Sequence, residues 1–161
     1  MTIEKLLEKI KHTPDCIVYP PDGIPNLQEN LYKLPKDLKK FYELCGGVVL
    51  FSSEAFTMQI VSPENFQLAN PIIVGELCPD DISSEWYIVA ADSNNDYITI
   101  DLDNKRHGRC YDSFWDRHGI VGDCQIIASS FTELLVQLYN SQGKCLYWLQ
   151  DDFPYLGDAY D

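Results

Sequence analysis

The chain has 161 residues, 45% of them hydrophobic and 23% charged, with a formal net charge of −13. That length and composition describe one folded domain over residues 1–161 with enough apolar material for a core, and they exclude a disordered chain. The acidic excess argues against nucleic acid and anionic membrane as partners, and no apolar run approaches the ~20 residues that span a bilayer.

In chain order, "IEKLLEKI" sets Ile3, Leu6, Leu7 and Ile10 on one stripe of a helix. Charges interleave with these apolar residues, so the segment lacks the centre of a secretory signal and a cytoplasmic chain is expected. Pro14, Pro20, Pro21, Gly23 and Pro25 make residues 12–30 an irregular connection with an extended piece at "CIVY"; residues 1–30 are thus a helix and a lead-in. In "LPKDLKKFYELCGG", Pro35 suits a first helical position and Asp37 complements the helix dipole. Leu38, Phe41, Tyr42 and Cys45 form its apolar stripe, and Gly46 or Gly47 is expected to end it in the left-handed conformation. "VVLF" reads as a buried strand and "EAFTMQIV" as a half-buried one, with Phe56, Met58 and Ile60 on one face. Ser62 and Pro63 open a short helix over "SPENFQLA", and residues 72–74 read as briefly extended. Residues 75–85 form an acidic loop.

"EWYIVAAD", "DYITIDL" and "GRCYD" then read as a three-stranded meander, with turns at Asn94-Asn95 and Asn104-Lys105. "SFWDRHGIVGD" is an aromatic loop and "CQIIASS" a short last strand. Ser130 and Glu133 have the spacing of a capping box before a helix that turns Phe131, Leu134, Leu135 and Leu138 inward. Residues 141–161 are an aromatic and acidic extension, which either docks on the core or offers a partner its aromatics.

Metal and catalytic chemistry find little purchase. Asp92, Asn94, Asp96 and Asp103 have the spacing of a calcium loop, but Tyr97 stands where that loop needs glycine, and both flanks read as strands. A hairpin turn is the better reading. His107, Cys110, His118 and Cys124 could be assembled into a zinc site only with loose spacing. Cys110, beside Arg109 and near His107, is a weak candidate for an activated thiol. The six cysteines are widely spread, and buried free thiols are expected rather than disulfides. No cofactor or metal is expected.

Three segments in order, "LPKDLKKFYELCGGVVLF", "EWYIVAADSNNDYITIDL" and "IIASSFTELLVQLY", resemble the SMI1/KNR4 family, also called the SUKH superfamily, across most of residues 30–140. Asn94-Asn95 stands where family members often carry glycines. The resemblance implies an α+β fold: a mixed, largely antiparallel sheet with helices packed on it. It implies no catalytic apparatus. Many bacterial members look like immunity proteins that neutralise a polymorphic-toxin domain, often a nuclease; fungal members are regulatory scaffolds.

Charge bears on that choice. Residues 1–40 carry seven Lys against six acids, while residues 41–161 carry five Lys or Arg against nineteen. A nuclease cleft is basic because it holds a polyanion, and an acidic inhibitor reaches it faster. The expectation is an immunity protein that covers the basic cleft of a cognate toxin C-terminal domain, with Asp80, Asp81, Glu85, Asp92 and Asp96 as its partner-binding acids. The alternative is a regulatory protein-interaction module unrelated to toxins.

Overall fold

Helix α1 (Ile3–Lys11) buries Ile3, Leu6, Leu7 and Ile10, and Thr2 caps it by accepting from Lys5 N at 3.2 Å. The structure, a computed structural model, describes residues 1–27 and 33–161. The chain continues through β1 (Ile17–Val18), α2 (Lys36–Leu44), β2 (Val48–Leu50), β3 (Met58–Ile60) and α3 (Ala69–Ile73). Then come β4 (Trp86–Asp92), β5 (Tyr97–Asp101), β6 (Cys110–Ser113), β7 (Ile126–Ala128) and α4 (Phe131–Ser141). Among the described residues the seven strands form one sheet in sequential order, and each neighbouring pair runs antiparallel. This is the expected α+β architecture. No helix among the described residues is long and apolar enough to cross a membrane.

The two faces of the sheet differ. One carries Val48, Ile60, Ala90, Ile98, Ile100 and Cys110, all fully buried. Helices α1, α2 and α4 close over it, with Phe41 of α2 edge-on to Phe131 of α4 at 4.9 Å. On the other face, Trp86 stacks on Tyr111 at 4.1 Å and meets His118 edge-on at 5.6 Å. There the buried Asp101 accepts from Trp86 Nε1 at 3.1 Å, Tyr111 Oη at 2.5 Å and Arg106 Nε at 2.9 Å, so its charge has both a counter-ion and hydrogen bonds. Trp86 is thus the core anchor its strand-leading position suggests.

Several local expectations shift. Pro35 is the residue before α2, not its first helical position, and α2 ends in an extended Cys45 at φ −154°. The glycine pair answers a steric need instead. A Cβ on Gly46 would stand 2.4 Å from Pro20 O, and one on Gly47 2.7 Å from Ile60 O, so the crossing of β1 and β3 past this corner requires their absence. "SPENFQLA" gives only a 3₁₀ turn at Pro63–Asn65. The chain at residues 69–73 is helical where an extended piece was expected from Ile72 on; Pro71 falls in the first turn, where its missing N–H costs nothing. In "EAFTMQIV" only Met58–Ile60 pairs, and Phe56 is 43% exposed. Ser130 Oγ accepts from Glu133 N as expected, but Glu133 Oε2 reaches back to Ser129 N at 2.9 Å, one residue beyond the cap.

The extension after α4 packs on its own domain. Tyr147 donates to Ile127 O at 2.7 Å and Trp148 Nε1 to Asp112 Oδ2 at 2.9 Å. Ile126 N then bonds Gly157 O and Ala159 N bonds Cys124 O, which covers the outer edge of β7.

Candidate partner-binding face

The antiparallel register places Ile17, Val49, Gln59, Ala91, Tyr97 and Ser113 side by side across six strands, on the face that carries Trp86. At the β6 end this row is closed: Ser113 and Thr99 are buried and share a 2.7 Å hydrogen bond. Toward β1 it is open. Ile17 and Gln59 are exposed, and Val49, Ala91 and Tyr97 are half-buried. Three grooves meet at Gln59. One of about 400 Å³ runs to Tyr19, Pro20 and Asp22; one of about 350 Å³ runs to Ile72, Asp92 and Tyr97; one of about 190 Å³ runs to Val49. Their charged lining residues are Asp22 and Asp92, so the floor is neutral to acidic. A larger groove, about 510 Å³, lies on the α1 side of β1 and mixes Glu4 and Glu8 with Lys11.

The five expected acids separate into two groups. Asp92 and Asp96 flank the β4–β5 turn beside the open row. Asp92 Oδ1 accepts from Asn94 N at 2.8 Å and Asp96 N at 2.9 Å, and Asn95 takes φ 60°. The stretch is a hairpin turn. Asp96 Oδ1 in turn holds Trp115 N at 3.0 Å. Asp81 and Glu85 sit before the first residue of β4, at the far end of a seven-residue strand, on the order of 20 Å away. Asp80 is exposed there. Asp81 caps a 3₁₀ turn by accepting from Ser83 N at 3.0 Å, and it receives the Tyr160 hydroxyl at 2.7 Å. Partial burial and the neighbouring Asp103 and Asp101 carboxylates raise the Glu85 pKa, while Asp103, accepting from Glu85, is lowered. The first group therefore borders a surface, and Asp81 also serves the fold.

The SMI1 / KNR4 family (SUKH-1) matches residues 22–137. The chain belongs to this family. It is also 56% identical over 161 residues to the immunity protein YokJ of Bacillus subtilis (strain 168), covering 100% of this chain and 97% of that protein. No solved structure matches it.

In this SUKH-1 chain the residues weighed for zinc or nucleophilic chemistry stand apart. Among the described residues no group of three or more His, Cys, Asp and Glu side chains is placed to hold a metal ion. His118 Nε2 donates to Asn70 Oδ1 at 2.7 Å, and His107 Nδ1 donates to Leu102 O at 3.2 Å. Burial pushes the Cys124 thiol up to about 12, and Cys110 is raised as well, by burial and then by the Asp37 and Glu133 carboxylates. Such thiols stay protonated and inert; all six cysteines are free. Two features of the face escaped the sequence reading. Gln59, a polar residue in phase with Ala55 and Thr57, marked the open side of its strand. Trp115, set before Asp116 in a loop, is 78% exposed and gave no periodic signal.

Proposed function

We propose that this chain is a cytoplasmic immunity protein that binds and neutralises a cognate toxin domain, a basic nuclease domain, by covering its substrate cleft with an acidic surface. The observation that carries the reading is the 56% identity to an immunity protein along the whole chain. The net charge of −13 supports a cationic partner, because a nuclease cleft must attract phosphate. Inert thiols and carboxylates engaged in turns and caps support a binding role over catalysis. Asp92 and Asp96 border the contact, while Asp80, Asp81 and Glu85 contribute to the attracting field from the other end of the strand.

The test is co-expression with the C-terminal domain of any toxin-like protein found encoded beside this gene. Growth rescue and co-purification as a complex are the expected results. A domain that kills whether or not this chain is present, and does not co-purify, would overturn the reading. If the rescued toxin cleaves no nucleic acid, the nuclease assignment falls while the immunity role stands.

A further inference from the structure

We propose that Trp115, at the rim of the open sheet face, is the anchor on which an Arg or Lys side chain of the toxin domain docks, with the Gln59-centred row as the floor of the interface. This rests on the toxin-binding reading above and names the surface that performs it. Trp115 is 78% exposed, more than the other large apolar side chains of the described residues. Its backbone is held in place: the main-chain N–H donates to Asp96 Oδ1 at 3.0 Å, and Asp96 N donates to Asp92 Oδ1 at 2.9 Å. An aromatic side chain on a fixed backbone has only two torsions to lose on binding, which is what makes such side chains effective centres of interfaces.

The surroundings select a cation. One oxygen of Asp92 and one of Asp96 carry the turn's bonds, and the second oxygen of each has no partner among the described residues. The Asp116 side chain is 58% exposed. Arg117, two residues along the chain, is turned inward: its Nε lies 3.1 Å from the buried Asp112 carboxylate and its guanidinium sits 4.8 Å above the Phe114 ring. Its 3.8 Å approach to Asp116 leaves most of that rim charge unmatched. A guanidinium or ammonium laid on the indole face would meet an aromatic quadrupole and carboxylates at once. The floor adds no competing cation, its charged lining residues being Asp22 and Asp92. A second copy of this chain is a poor occupant, since each carries a net charge of −13 and would bring the same acids to the same rim.

Three exposed substitutions test this against the toxin domain bearing an inactivating catalytic mutation. Trp115→Ala should weaken binding at least about 30-fold, as loss of an interface anchor does. Gln59→Arg should weaken it at least about 10-fold by setting a like charge against a basic surface. Asp80→Lys, at the far end of β4, should slow association by less than about 10-fold and leave the dissociation rate unchanged. If wild type binds and Trp115→Ala and Gln59→Arg bind equally well, the surface assignment is wrong and the toxin-binding reading survives. If wild type does not bind, both fall. If wild type is a dimer that Trp115→Ala dissociates, with toxin affinity unchanged, the face serves self-association and the proposal is overturned. Circular dichroism of each variant distinguishes a lost contact from a lost fold; a Trp115→Ala chain that fails to fold makes the indole structural and contradicts the exposed anchor.

Discussion

His118 lies edge-on to the Trp86 indole and donates from Nε2 to Asn70, which leaves Nδ1 buried with no partner among the described residues. A proton there would be a charge in an apolar corner. Burial accordingly pulls its pKa down to about 4, and the Asp81 carboxylate opposes that shift without overcoming it. In the unfolded chain the same imidazole titrates near 6.5. Between those values the unfolded chain binds a proton that the folded one refuses, so stability must fall as pH drops through 6.5 toward 4. Asp112 and Glu85 work in the opposite sense, their folded values being raised chiefly by burial, but only near the carboxylate range. The clean window is therefore about pH 7 to 5.5, where His118 should cost about 1 kcal/mol. Urea unfolding at the two pH values measures it. In His118→Gln, whose amide can still reach Asn70, the loss should vanish; an equal loss in the variant would assign the slope to other groups.

The elements are held by their ends. Gly47, at φ +118°, passes so near Ile60 O that Gly47→Ala must strain its own backbone and push β3 away. We expect a loss of about 2 kcal/mol or more, read as a lower urea midpoint with an unchanged slope. The extension closes the sheet at the other edge through Gly157 and Ala159, and Asp158 Oδ2 accepts from Gly122 N at 3.1 Å. Deleting residues 155–161 should expose the β7 edge, lower the melting temperature and promote self-association visible by light scattering. A truncated chain that stays monomeric with unchanged melting would show the edge to be protected otherwise. These contacts explain what was readable beforehand. Helices α1 and α4 announced themselves by apolar spacing, and the β4–β5–β6 meander by alternation and Asn turns, because local chemistry decides them. The glycine pair, the short helix at Ala69–Ile73 and the tail's position depend on backbones brought together from far along the chain, which spacing does not encode. The candidate face divides the same way: the turn at Asp92 and Asp96 was legible because Asx residues there bond their own backbone, whereas the exposed row around Gln59 is visible only once six strands are in register.

At the scale of the molecule, charge is the feature with the longest reach. Residues 41–161 hold nineteen acids against five Lys or Arg, and Arg106 and Arg117 are committed to the buried Asp101 and Asp112. Each of those pairs removes one charge of either sign, so the net −14 of that part is unchanged, but only three of its Lys or Arg remain to interrupt seventeen acids. On the proposed function such a field would act on a basic partner before contact and so belong to the association step, whereas Trp115 and the open row would belong to the bound state. Salt separates the two. Raising it from 0.1 M to 1 M shortens the screening length from about 10 Å to about 3 Å. Association with the toxin domain should then slow at least about 10-fold, while dissociation, governed by desolvated contacts, changes far less. Surface plasmon resonance at both salt concentrations gives both rates. An association rate indifferent to salt would mean that the acidic excess serves solubility alone, and that any recognition of the toxin depends on shape and apolar contact at the sheet face.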